Sequence, residues 1–157
     1  MFFNDPIAAF SNIRRGLKRN GRLAFVCWRG LEENPLDLVP LRAASLHLPP
    51  QPAHDPNAPG PFAFASADRV HGILKSAGFR QIEISARDDL VGSGDLDSML
   101  AVCSRVGSLG KILRENPELQ AATLPTLRCA LAAHDGPDGV RLRAATWVVS
   151  ARTTAGL

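Results

Sequence analysis

Two His-Asp dipeptides, His54-Asp55 and His134-Asp135, set an imidazole beside a carboxylate, the pairing that acid–base chemistry uses. Both stand next to turns rich in proline or glycine, so the sequence places them on the surface. The cysteines Cys27, Cys103 and Cys129 are far apart, form no CxxC pair, and read as reduced thiols. His47 and His71 are equally isolated, and no group of residues has zinc-ligand spacing, so no metal is expected. Gly92-Ser93-Gly94 is a lone GxG in a loop, without the strand that precedes a phosphate-binding loop, and reads as a turn. No nucleophile–base pair and no paired carboxylates stand out. What remains is Trp28-Arg29, at the carboxyl end of an apolar run. Ligands of open α/β sheets bind outside such strand ends, where Trp28 would wall a pocket and Arg29 would hold a polar group.

The elements that must position these residues follow from periodicity. Asp5-Pro6 starts a helix whose apolar stripe is Ile7, Phe10, Ile13 and Leu17, and Asn20-Gly21 ends it. Leu23-Ala24-Phe25-Val26-Cys27-Trp28 is apolar on both faces, as a strand inside a parallel sheet is. Asn34-Pro35 starts a second helix, with Leu38, Leu41, Ala44 and Leu48 inward and Pro40 limiting its regularity. Residues 49–61 hold six prolines and form a stiff loop, after which Phe62 and Phe64 either anchor that loop or roof a pocket. Ser66 caps a third helix that stops at Gly78, and residues 79–85 alternate as a half-exposed strand. Helices follow from Asp95 to about Val106, from Leu109 to Arg114, and from Pro117 to about His134, with Pro125 as a kink. A turn at Gly136-Pro137-Asp138-Gly139 leads to a last strand from Val140 to about Ala151, in which Leu142, Ala144, Thr146 and Val148 share one face.

Composition excludes several classes. The chain has 157 residues, 45% hydrophobic and 21% charged, ordinary for one globular domain. No apolar run reaches the roughly 18 residues of a membrane span, and the start lacks a secretory pattern, so a cytoplasmic protein without a membrane partner is expected. The net charge of +3 is uneven: residues 1–30 carry six Arg/Lys against one Asp. Arg14, Arg15, Lys18 and Arg19 fall at a helix end, where cations suit the dipole, and no aromatic residue is interleaved to stack bases. Nucleic acid is therefore not an expected partner.

Helices alternating with strands predict an α/β sheet. At this point the residues match a family. Within residues 10–29, Leu17-Lys18-Arg19-Asn20-Gly21-Arg22-Leu23 resembles the place where class I S-adenosylmethionine-dependent methyltransferases end a helix in Leu-Lys-Pro-Gly-Gly-Arg-Leu and enter their fifth strand. Leu74-Lys75-Ser76-Ala77-Gly78-Phe79 resembles the Leu-x-x-Ala-Gly-Phe before their sixth, and Trp147-Val148-Val149-Ser150-Ala151-Arg152 resembles their antiparallel seventh. The likeness is nearest to small-molecule methyltransferases related to the ubiquinone/menaquinone-biosynthesis group, and it runs over nearly the whole chain. Arg19-Asn20 stands where the family has Pro-Gly, and Asn still takes the left-handed backbone.

The resemblance implies an incomplete Rossmann-like sheet: the last three strands, the final one antiparallel, with residues 1–157 as the C-terminal part of a methyltransferase domain. Residues 31–65 would be a Pro-rich insert or lid and residues 89–135 a helical insert. The family holds its cofactor with a glycine-rich loop after the first strand and an acidic residue after the second. Neither occurs in this sequence, which matches the family from about the end of the fourth strand. The resemblance places Phe2 and Phe3 beside S-adenosylmethionine, and Trp28, Arg29, Asn34, Phe62 and Phe64 around a small-molecule acceptor. Activity by this chain alone is not expected. The rival reading is a non-catalytic remnant or interaction module, associating with a second chain or with itself through its first strand.

Overall fold

The computed structural model describes residues 1–48 and 55–153. Helix α1 (Pro6–Gly16) leads into strand β1 (Arg22–Trp28), then a 3-10 turn (Leu31–Glu33) and helix α2 (Pro35–Ala44). Helix α3 (Ala67–Ser76) precedes strand β2 (Arg80–Val91). Helices α4 (Leu96–Cys103), α5 (Gly107–Glu115) and α6 (Gln120–Ala132) follow, then the short strands β3 (Asp135–Gly136) and β4 (Gly139–Val140), and the long strand β5 (Leu142–Arg152). Among the described residues, two compact units form: residues 1–30, 55–88 and 145–153, and residues 31–48 and 89–144.

The first unit is a three-stranded sheet with α1 and α3. Asp5 caps α1 by accepting the Ala8 N–H at 2.9 Å, with Pro6 as the first helical residue. The chain then turns through Asn20 at φ 54°, the left-handed conformation its short polar side chain tolerates. The Ser66 hydroxyl caps α3 by accepting the Arg69 N–H. At the other end of α3, Gly78 at φ 87° lets its N–H reach the Lys75 carbonyl while the Phe79 N–H reaches that of Leu74. This pair of bonds is a Schellman termination.

The strand order is β1–β5–β2, a mixed α/β arrangement with an antiparallel three-stranded sheet. In register, Arg22 faces Arg152 and Trp28 faces Thr146. One face carries Leu23, Phe25, Cys27, Ile82, Ile84, Trp147, Val149 and Ala151 into a core with Phe10 of α1 and Val70, Ile73 and Leu74 of α3. The Arg29 N–H bonds the Ala145 carbonyl and the Thr153 N–H bonds that of Gly21. Odd-numbered β1 residues therefore face β5 with their backbone groups, and those of Arg22, Ala24, Val26 and Trp28 point to the free edge.

Three expectations need correction. The run 23–28 is not covered on both faces within a parallel sheet: β1 has one neighbour, antiparallel β5, and Val26 on its other face is 57% exposed. β5 does not keep one face. Leu142 and Ala144 are buried, then Ala145, Val149 and Ala151 are, so the phase shifts where the strand passes from one core to the other and Val148 turns outward. β2 is longer than residues 79–85, and Gln81 takes φ 47°, which lets Phe79 and Ile82, three apart, both pack inward.

The second unit is helical. Met99, Cys103, Leu109, Leu113, Leu127, Leu131, Val140 and Leu142 form its core, with Leu36, Val39 and Leu41 of α2 against it. Asp37 on α2 accepts the backbone N–H of Ser108 at 3.0 Å and its hydroxyl at 2.6 Å, so a carboxylate from another helix serves the first turn of α5. Gly92-Ser93-Gly94 is indeed a loop, and the Val140 N–H bonds the Gly94 carbonyl at 3.1 Å. No described helix is long and apolar enough to cross a membrane.

Candidate functional site

The carboxyl end of β1 gathers the most chemistry. The chain leaves the sheet at Arg29, whose backbone is still held by the ladder while its side chain crosses toward β5 and β2. Its Nη1 donates to Asp88 Oδ1 at 2.8 Å, and its guanidinium carbon lies 5.1 Å from the centre of the Trp147 ring. The Arg29 side chain is only 18% exposed and that of Asp88 is 42% exposed. A cation on an aromatic face and against a carboxylate is fixed in orientation, unlike a solvated surface arginine.

The Trp147 ring is itself positioned, because its Nε1–H donates to the Ala65 carbonyl at 2.7 Å. The Cys27 thiol donates to the neighbouring Phe64 carbonyl at 3.8 Å. Residues 64 and 65 are thus tied to the sheet by one indole and one thiol. Phe64 adds its ring, 6.0 Å from Phe10 and 6.5 Å from Phe25. The arrangement can do two things: present an immobile guanidinium to an anionic or polar group, and present the half-exposed Asp88 carboxylate to a hydrogen-bond donor.

The sequence-expected residues divide. Arg29 lies in this cluster. Trp28 is half-buried and belongs to the opposite sheet face, since it pairs with Thr146 while Cys27 pairs with Trp147. Phe64 is 2% exposed and fills the core, where it anchors the loop. Phe62 is half-buried in the turn before it. Phe2 is 69% exposed, and Phe3, 43% exposed, makes a T-shaped contact with Phe10, ring centres 6.0 Å apart. Asn34 is in the second unit, buried at the start of α2. Its carbonyl accepts the Asp37 and Leu38 N–H groups, and its side chain makes no capping bond. His54 lies outside the described residues, Asp55 is exposed, and His134 and Asp135 are exposed.

Sequence reasoning missed Asp88 and Trp147 as partners of Arg29. Asp88 is 59 residues away and carries no local signal. Trp147 could have been found had the phase of β5 been counted back from Val149 and Ala151. No group of His, Cys, Asp and Glu among the described residues could hold a metal ion.

The thiols give a measurable check on this packing. Burial pushes both Cys27 and Cys103 up to about 11, whereas Cys129 is exposed. A folded value above the unfolded one contributes stability that is complete below the unfolded pKa and lost as pH rises through the folded one. The unfolding free energy is expected to fall between about pH 9 and pH 11. At about pH 8, below the ordinary thiol value, a disulfide reagent is expected to titrate one thiol quickly and the other two only on unfolding. Three thiols reacting at one rate would contradict the packing.

No protein-family model matches the chain, and no curated protein matches it.

Proposed function

We propose that the chain is the C-terminal part of a class I, Rossmann-like S-adenosylmethionine-dependent methyltransferase and supplies the acceptor side for methyl transfer to a small molecule. The observation that carries this reading is β5. It runs antiparallel to β1 and stands between β1 and β2, each of which is entered from a helix through a left-handed turn, at Asn20 and Gly78. That is the context the two turn motifs call for. Arg29, held by Trp147 and Asp88 at the carboxyl end of β1, is the residue suited to orient a polar acceptor. The sulfonium donor carries its own leaving group, so positioning would be the main task of this part of the protein.

The glycine-rich loop for the donor is not in this sequence. Calorimetric titration with S-adenosylmethionine is expected to give no saturable heat up to about 1 mM. Micromolar binding would overturn this division of labour. Adding a polypeptide that carries the donor loop is expected to move tritium from labelled S-adenosylmethionine into a pool of small metabolites. An unlabelled pool would overturn the methyl-transfer reading.

A second reading has its own observation, the free edge of β1. Its stretch 23–28 carries no charge or proline of the kind that discourages strand addition. The chain would then act as an interaction module through that edge. Val26→Pro removes an N–H that points away from β5, so it should spare the ladder and abolish any self-association seen by sedimentation. A monomer at all concentrations would rule out self-association.

A further inference from the structure

The sheet face away from the first unit's core carries a hollow of about 550 Å³ whose lining includes Arg22, Gln81, Glu83, Ser150 and Arg152. It lies where β1 begins, away from Arg29. Arg22 and Arg152 face each other across the ladder. Because odd-numbered β1 residues bond β5, this even-numbered pair is of the non-hydrogen-bonded kind, in which side chains stand closest. Like charges in that position repel. The Arg22 side chain makes no hydrogen bond or ion pair among the described residues. Among the described residues Arg152 reaches only a neutral acceptor, the Asn20 carbonyl, at 3.4 Å. The nearby carboxylate, Glu83, accepts the Ser150 hydroxyl at 3.3 Å instead. Gln81 joins the lining from a left-handed backbone that a residue with a side chain rarely adopts. A charge pair uncompensated among the described residues, beside a strained residue, points to a binding site.

We propose that this hollow binds a phosphate monoester of a polyol, such as a sugar phosphate. Two guanidinium forks match the oxygens of a phosphate dianion and relieve the repulsion between them. Glu83 disfavours a ligand that is anionic throughout and requires a hydrogen-bond donor, which a hydroxyl supplies. Ser150 and Gln81 extend the same polar contact. The volume suits a small molecule. The site is independent of the methyl-transfer reading and stands or falls without it.

The test is an amide chemical-shift titration of the whole chain with glucose 6-phosphate, and with glucose and inorganic phosphate as separate arms. Glucose 6-phosphate should give saturable shifts at Arg22, Gln81, Ser150 and Arg152, and glucose none. Arg22→Ala should weaken binding about tenfold or more with an unchanged circular dichroism spectrum, the loss of one charge-assisted fork. Arg152→Lys, which keeps the charge and loses the fork, should weaken it in a chain with the same spectrum. Glu83→Gln should weaken glucose 6-phosphate and strengthen inorganic phosphate. Shifts centred elsewhere, no saturation, or unchanged affinity in both arginine variants would overturn the site. Inorganic phosphate binding as tightly as the ester would overturn the polyol assignment.

Discussion

Phe79→Ala is expected to lower the unfolding free energy of the first unit by about 3–5 kcal/mol, the cost of emptying a fully buried phenylalanine site. Phe79 has no exposed surface and lies in one core with Leu74, Ile82 and Phe10. Its position is doubly determined. Its N–H closes the end of α3 on the Leu74 carbonyl, and the left-handed residues Gly78 and Gln81 on either side fix where its ring enters. In a Schellman ending, the residue after the glycine packs back on the last turn, so the substitution removes a termination contact as well as core volume. Domains are stable by only about 5–15 kcal/mol, so most of the margin would go. Urea unfolding followed by tryptophan fluorescence is the measurement, because Trp28 and Trp147 both belong to this unit. A midpoint change equivalent to less than about 1 kcal/mol would show that Phe79 is not a core residue.

Gly139→Ala should damage the second unit by about 2–5 kcal/mol, combining left-handed strain with overpacking. Gly139 has φ 80°, and a Cβ there would lie 2.1 Å from the Gly94 carbonyl oxygen and 2.7 Å from its carbon. Neither atom belongs to a side chain that could swing away. Gly92 has the reciprocal problem, since its Cβ would come within 2.3 Å of the Val140 carbonyl oxygen. The lone GxG thus has structural causes: at Gly92 two backbones touch, and Gly94 takes φ 102°. Far-UV circular dichroism, dominated by helices, should register the loss. Gly72→Ala is the control. It lies inside α3 with open space around its would-be Cβ and should stabilise by about 0.5–1 kcal/mol. Equal effects of the two substitutions would refute the close-approach argument.

What the sequence disclosed was what is decided locally. Asp5, Ser66 and Asp95 accept hydrogen bonds from residues three ahead, and Asn20 and Gly78 take left-handed turns. Each depends on a few neighbouring residues, and residue type announces it. The helix α5 beginning near Leu109 and the loop at Gly92 were legible for the same reason. Features settled by distant partners were hidden. The phase shift in β5 arises because one strand serves two cores, and alternation within the strand cannot reveal that. In α2 the expected Leu41 and Ala44, with Leu48 beyond it, do reach the core, but Leu36 and Val39 join them and Pro40 is buried, which a regular stripe through Leu38 does not anticipate. At the candidate site Arg29 stood out, but its meaning came from Asp88 and Trp147, which only folding brings to it. Phe64 was ambiguous between anchor and roof until its burial placed it inside.

The placement of β5 bears on how the chain is made. Among the described residues the middle strand of the sheet is the last element in chain order, and β1 and β2 have no ladder without it. As the polypeptide leaves the ribosome, both outer strands must wait, their apolar faces covered by α1, α3 and the turn at Phe64, while fifty further residues are added between β2 and β5. Helices α4, α5 and α6 can pack on one another and on the earlier α2 during that interval. Sheet assembly is then a late event of high sequence separation, and the waiting strands are the segment most in need of a chaperone.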